Sequence, residues 1–417
     1  MYEKRVLPNG VRLLTEEVPG VRSAALGIWV GVGSRREKSG ESGSAHFIEH
    51  MSFKGTGRRS AARLAEEMDA VGGQLNAYTT KEDTVYYAWV LDTHLRQAAD
   101  ILCDMLFHSK FDERDVETER GVILEEMGMY ADNPEDLCAE RLAAAVYRGT
   151  ALARPILGRK ATLGRMTGEG LKAWQKAHYV PSELVVTLAG SFTRADVDDL
   201  AARFADLSGA PLRAEKPAVY TPAFTVRRKA AEQNHLTLAF PGMTLSDPRR
   251  FTMQLLSSIL GGGMSSRLWQ NVREESGLCY SIYTYGASYT DTGIFAIYTA
   301  TGSETEEAAL KTIVRETRRF VDQGVTQEEL DRAREQSKAN VLMGLESTQS
   351  RMSALGRGEL SVGQVLTTEE IIAAYDAVTV RDVGELAQEV LDFDRMSLSA
   401  VGRVRSEEDY REMMCLA

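Results

Sequence analysis

Two histidines four residues apart, His46 and His50, bracket a segment in which Glu49 stands immediately before the second (His46-Phe47-Ile48-Glu49-His50). On a helix that spacing projects both imidazoles from one face, where they can share a metal ion. Glu49 then lies close enough to address a water on that metal without ligating it. A catalytic zinc site takes three protein ligands and leaves a fourth position for water. The metal lowers the pKa of that water toward 7, and a carboxylate takes its proton during attack on a carbonyl.

A third ligand has to come from elsewhere in the chain. Residues 112–130 (DERDVETERGVILEEMGMY) read as a helix, with Asp112 at its N-cap and acids in its first turns. Glu119 and Glu126 are two turns apart and share a face. Glu126 is expected as the ligand and Glu119 as a nearby acid that orients or tunes the site. Glu125 points about 100° away and is expected in solvent. A plainer account exists for each part. The helix is acid-rich throughout, so a solvated face would explain both glutamates taken alone, and a bare H-x-x-E-H recurs by chance. His94, His108, His178 and His235 show no comparable spacing and are expected as ordinary surface or hydrogen-bonded histidines.

The elements that must position these residues occur twice along the chain. In the first half a strand at 23–33 precedes the histidine segment. A helix at 60–73 follows, with Ser60 as N-cap and glycines at its end. Two β-rich runs come next, at 75–80 and 84–91. The second half keeps that order at 235–242, 251–263, 265–277, 279–289 and 292–301, and a late helical run at 366–378 corresponds to one at 166–179. Where the first half carries its histidines, the second has an apolar run near Leu255 to Leu260, so one half should hold the metal and the other should cover it. Between them lies a stretch bearing Pro211, Pro217 and Pro222. The expected division is a metal-binding domain at 1–207, a linker at 208–222 and a related domain without metal ligands at 223–417. The N-terminal MYEKRVLPNGVRLL reads as a hairpin around Pro8-Asn9-Gly10.

At 417 residues the chain can form two to three domains, each with its own core. A net charge of −11 disfavours nucleic acid and is compatible with a chamber that attracts basic peptides. Cys103, Cys138, Cys279 and Cys415 show no C-x-x-C spacing, which suggests reduced thiols and an intracellular setting. No signal-like or presequence-like N-terminus is seen and no run of eighteen apolar residues occurs, so a cytoplasmic bacterial protein without a membrane span is expected. Gly261-Gly262-Gly263 is followed by Met264-Ser265-Ser266, which rules out a phosphate-binding P-loop. A mobile connection or a helix-start turn fits the glycines.

H-x-x-E-H is the inverzincin order, the reverse of H-E-x-x-H. AHFIEHMSFKGT (45–56), ETERGVILEEM (117–127), GGQLNAYTTKEDTVYY (72–87) and LGGGMSSRLWQNVREESGLCYSI (260–282) together resemble the M16 pitrilysin- and insulinase-like metallopeptidases. The resemblance is to the two-domain branch that includes the mitochondrial processing peptidase, and it spans nearly the whole chain. It implies two homologous LuxS/MPP-like α/β domains (an α+β architecture), each a mainly antiparallel sheet with helices packed on it. It implies one Zn2+ per chain, held by His46, His50 and Glu126, with Glu49 as base and Glu119 as accessory acid. Arg273 and Tyr280 match positions that the family brings over the metal, where a cation and a donor would stabilise a tetrahedral oxyanion. On their own they could be an arginine paired with Glu274 or Glu275 and a strand core residue.

Asn76 and Ala77 match edge-strand positions that hold an extended peptide through main-chain hydrogen bonds. At HYVPSEL (178–184) relatives usually carry asparagine in place of Ser182, and a local turn effect is expected there. The implied activity is zinc endopeptidase action on unfolded peptides or extensions, by a homodimer or a heterodimer with a related chain. Two rivals are a non-catalytic partner or structural subunit of the same fold, and a chaperone-like module with structural zinc. The first typically loses metal residues that this chain keeps. The second would require a fourth protein ligand, and no adjacent candidate is seen.

Overall fold

Each half of the chain contributes inner strands that are buried along most of their length, at 23–30 and 184–190 in the first and at 293–301 and 397–402 in the second, as expected where both faces of a sheet are covered. The computed structural model describes residues 2–416, without the side chains of Cys415 and Leu416. The thiol expected at Cys415 therefore lies outside the described residues. Strands β1 (Glu3–Val6) and β2 (Arg12–Glu17) form the expected hairpin around Pro8-Asn9-Gly10. With β3 (Ser23–Val30), β4 (Gln74–Thr79), β5 (Thr84–Leu91) and β6 (Leu184–Gly190) they make a sheet in the order β1-β2-β6-β3-β5-β4. The second sheet contains β7 (Phe224–Arg228), β8 (Asn234–Pro241), β9 (Ser281–Ser288), β10 (Gly293–Thr301) and β11 (Ser397–Gly402), in the order β7-β11-β8-β10-β9.

The sequence repeat is a repeat of topology. In the first sheet β2 and β6 pair in parallel, and β6-β3-β5-β4 are antiparallel. In the second, β7 and β11 pair in parallel, and β11-β8-β10-β9 are antiparallel. Both sheets are mainly antiparallel, as expected, and helices complete a two-domain α/β fold.

The chain forms two compact units that differ from contiguous halves. Residues 208–222 carry no helix or strand, and the division passes between Lys216 and Pro217. However, residues 128–153 group with the second unit and 342–367 with the first. Helix Pro134–Val146 packs on β11, β8 and β7, and helix Thr348–Val362 packs on β6, β3 and β2. A buried stripe on each helix drives this. Met352 and Leu355 join Leu14, Ala25, Trp29, Val85 and Val185 on one face of the first sheet. On its opposite face, Leu26, Ile28, Tyr86 and Val186 pack with Phe47, Ile48 and Met51 of helix Ser44–Ser52. The histidine helix is thus fixed by a continuous apolar core, each large side chain of which contributes roughly 1.5–3 kcal/mol.

Gly356 marks the closest approach of helix Thr348–Val362 to this sheet. A Cβ there would lie 2.0 Å from Trp29 Cε2. Trp29 is buried and bonded through Nε1 to Thr187 Oγ1 at 2.9 Å, so it cannot step aside without losing that bond. Gly356→Ala is expected to destabilise the protein by about 1–3 kcal/mol through overpacking. A thermal or denaturant melt unchanged by the substitution would contradict this packing.

Candidate metal centre

Helix Ser44–Ser52 carries His46, Glu49 and His50, and helix Glu113–Asp132 carries Glu119 and Glu126. Nε2 of His46 and Nε2 of His50 each lie 3.6 Å from the same oxygen, Oε2 of Glu126. The three ligand atoms are all within 4.8 Å of one another, which is the metal-binding cluster of the described residues. Ligands at roughly 2.1 Å on the corners of a tetrahedron are about 3.4 Å apart, so this set fits one small cation and leaves a corner free. Two imidazoles and a carboxylate are donors suited to zinc.

The surroundings of the two histidines differ. His50 turns its other nitrogen, Nδ1, to Oε2 of Glu119 at 3.0 Å, which leaves Nε2 for the metal. Glu119 is buried, and its second oxygen is 2.6 Å from Nζ of Lys54. His46 Nδ1 is buried without a hydrogen-bond partner among the described residues. Burial, then the neighbouring His50 charge, lower His46 to about 4. Burial opposes the charged form of His50 too, but the neighbouring Glu126 and Glu119 carboxylates outweigh it and leave His50 raised. The neighbouring His50 imidazole holds the Glu126 carboxyl below its ordinary value.

Glu49 lies beside the cluster and is not one of its three members. Its Oε2 accepts a hydrogen bond from Thr79 Oγ1 at 2.5 Å, and burial pushes its carboxyl up. Glu125 is exposed, as expected from its place on the helix. Asn76 and Ala77 lie on β4, which is the edge strand of its sheet.

Arg273 and Tyr280 belong to the second unit and are neighbours there. Arg273 Nε donates to the Tyr280 carbonyl at 2.9 Å, and its guanidinium stacks 4.1 Å over Trp269. The pairing with Glu274 is present, at 2.7 Å. Tyr280 is no core residue; it is 71% exposed. The segment Trp269–Glu274 is a π-helical turn, a form common at functional sites. The three glycines close helix Arg250–Gly261 and lead into the turn before the next helical segment at 267–274. Ser182 lies in a single 3-10 turn, Pro181–Glu183, ahead of β6. Of the remaining histidines, His178 bonds the Trp174 carbonyl and His235 the Tyr298 hydroxyl.

Three supporting residues escaped the sequence reading: Thr79, Lys54 and Glu37. The first two carried a signal. Thr79 alternates with Ala77 on the recognised edge strand, and Lys54 follows His50 closely in sequence, just past the end of its helix at Ser52. Glu37 had none. The N-cap position of the histidine helix is Gly43 at φ 101°, with no side chain to offer. Buried Glu37 replaces it, accepting from the Gly43 and Ala45 amides, both at 2.9 Å.

Burial pushes the Glu37 carboxyl up to about 8, against those two amides and the charges of Arg154 and Lys81. The unfolded chain ionises at the ordinary value of 4.5 while the folded one still holds its proton. This group's contribution to stability is therefore complete below 4.5 and is lost as pH rises toward about 8. Glu37→Gln keeps an acceptor but does not titrate. The melting temperature of the wild type is expected to fall relative to Glu37→Gln between about pH 5 and about pH 8. Parallel trends by calorimetry would show the folded carboxyl to be ionised throughout.

Comparison with known proteins agrees with this geometry. Residues 12–160 match the family described as Insulinase (Peptidase family M16), and 165–337 match the Peptidase M16 inactive domain. The chain is 41% identical to the uncharacterized zinc protease YmxG of Bacillus subtilis, over 94% of this chain and 97% of that one. It is 39% identical to an uncharacterized zinc protease of Streptomyces coelicolor, over 98% and 91%. Among solved structures, a peptidase M16 inactive domain from Pseudomonas fluorescens superposes with a TM-score of 0.90 at 22% identity, covering 97% of this chain and 99% of that one. A protease from Helicobacter pylori gives 0.89 at 20% identity, covering 96% and 99%. These two likenesses establish the fold. The sequence matches, over nearly the full length of both chains, go further: this chain belongs to the insulinase-type peptidase family M16.

Proposed function

We propose that the chain is a zinc-dependent endopeptidase that hydrolyses peptide bonds in unfolded peptides or peptide extensions, with Glu49 as general base. The position of Glu49 carries this reading. It is close enough to the cluster to feel the charges of His50 and Glu126, yet it stands outside the trio that would hold the ion. Zinc bound by His46, His50 and Glu126 supplies a Lewis acid and a water of lowered pKa. Glu49 is the group that takes the proton of the attacking water. Burial raises its carboxyl toward the working range of a general base. Thr79 fixes one of its oxygens and leaves the other free to accept. The names of relatives as zinc proteases support the same activity.

The free edge of β4 supports an extended substrate. The Thr80 amide bonds the Asp83 carbonyl at 2.7 Å and closes the β4–β5 hairpin. Counting back by twos, Leu75, Ala77 and Thr79 turn their main-chain groups away from β5 toward the free edge. Asn76 Oδ1 accepts from the Ala77 amide at 2.8 Å and caps that donor until a strand is added. Selection by length and flexibility follows from main-chain pairing of this kind. Arg273 and Tyr280 are proposed to assist the oxyanion, on their residue types and their match to the family. Pairing of two such chains, alike or related, is proposed on the same resemblance. A cytoplasmic bacterial setting is proposed from the bacterial relatives and the free, buried Cys103, Cys138 and Cys279. No helix among the described residues is long and apolar enough to cross a membrane.

Cleavage of a mixed library of unstructured peptides, with bound metal quantified, tests the proposal. Chelation is expected to abolish cleavage, and zinc is expected to restore it at one ion per chain. A zinc-loaded chain that cleaves nothing would identify a non-catalytic subunit.

A further inference from the structure

The β4–β5 hairpin has two faces, and only one looks toward the metal helix. Thr79 bonds Glu49, and Leu75 and Ala77 pack with the core that contains Phe47 and Ile48. Side chains alternate along a strand, so Asn76 and Tyr78 point the other way. On that far face lies a groove of about 500 Å³. Its floor is Val85 with Tyr78 and Tyr87, whose rings meet edge-on at 6.4 Å. One flank of helix Thr348–Val362 forms its wall, where Gln349, Ser350, Ser353 and Arg357 follow one another at helical spacing. Arg357 is exposed and lines the groove together with Tyr78, whose hydroxyl feels its charge. The acid that feels its charge is Asp83, which is itself bound to Thr80 Oγ1 at 3.0 Å.

We propose that this groove is a specificity subsite that selects an acidic side chain at the position of a bound peptide that lies opposite Tyr78. The inference rests on the proposed binding of substrate to β4. Residues opposite each other on neighbouring strands point to the same face, with Cβ atoms about 4.5–5.5 Å apart. A peptide residue opposite Tyr78 therefore stands at the mouth of the groove, while those on either side of it point toward the metal helix. Val85 and the two tyrosine rings bury the methylenes of such a side chain. The Arg357 guanidinium and the hydroxyls of Ser350 and Ser353 then meet its carboxylate, a pairing that is charge-assisted and can be bidentate. A lysine at that position would meet the guanidinium and is disfavoured. Peptide residues of the other parity never see Arg357.

Unstructured peptides of one sequence, substituted singly with Glu, Gln, Leu or Lys at successive positions, provide the test. Cleavage by the zinc-loaded wild type is compared with that by Arg357→Gln and Arg357→Glu, whose melting temperatures are checked first. Binding of the same peptides to zinc-loaded Glu49→Gln, with and without each Arg357 substitution, is read by fluorescence anisotropy. A preference for Glu over Lys of roughly fivefold is expected, the upper range for a partly exposed ion pair. It should peak at one position and be absent from the two positions that flank it, vanish in Arg357→Gln and invert in Arg357→Glu. A preference without that positional pattern, or one indifferent to charge reversal, overturns the subsite, as does better binding of Leu than Glu. The same preference in binding without any cleavage would keep the subsite and overturn the peptidase reading.

Discussion

Glu49→Gln is expected to lower kcat by roughly 10²–10⁴-fold, the range for loss of a positioned general base, while bound zinc stays at the wild-type level. The two outcomes separate because Glu49 is not a member of the His46, His50 and Glu126 cluster. Glutamine is close in shape and can still accept from Thr79 Oγ1, the bond that holds Glu49 at 2.5 Å. The fold and the donor set are therefore unchanged, and what disappears is a group able to take a proton. KM is expected to move little, since peptide binding is assigned to the edge of β4. Zinc lost together with activity would instead make Glu49 part of the metal's own support. Full activity in the glutamine variant would remove it from the reaction.

The parts of this site that were legible in the sequence are those set by local geometry. His46, Glu49 and His50 share one helix, and Glu119 and Glu126 share another, so periodicity alone places each set on a face. That the two faces meet is a tertiary fact, and the meeting came from family resemblance. Thr79 lay within reach of strand alternation, and Lys54 within a few residues of His50 in sequence. Glu37 did not: an acid six residues before a glycine has the look of any surface charge until the glycine proves to be an N-cap. The fold shows the same limit. Three antiparallel strands of each half were read in the sequence, but β6, β7 and β11 were not, and the apolar stripe on helix Thr348–Val362 does not announce which sheet it covers. Met352 and Leu355 meet Trp29 and Val185, residues that precede them by more than 160 positions.

Glu119→Gln is expected to weaken zinc binding by roughly 10–100-fold, the range for loss of a group that orients a metal ligand. The reason is a count of donors and acceptors. Glu119 presents two acceptor oxygens to two donors, His50 Nδ1 at 3.0 Å and Lys54 Nζ at 2.6 Å. A glutamine has one acceptor and one NH₂ group. Whichever way it turns, it must aim that NH₂ at the imidazole N–H or at the ammonium, in a position where Glu119 is buried. If the amide oxygen stays with Lys54, His50 loses the partner that directs its Nε2 to the metal. Removing the competing donor should relieve this, so Lys54→Met in the glutamine background is expected to recover part of the lost affinity. Zinc titration against a competing chelator, run as a double-mutant cycle, reads that coupling directly. Additive losses from the two substitutions would mean that Lys54 and His50 do not compete for Glu119, and that Glu119 acts on the metal through its charge alone.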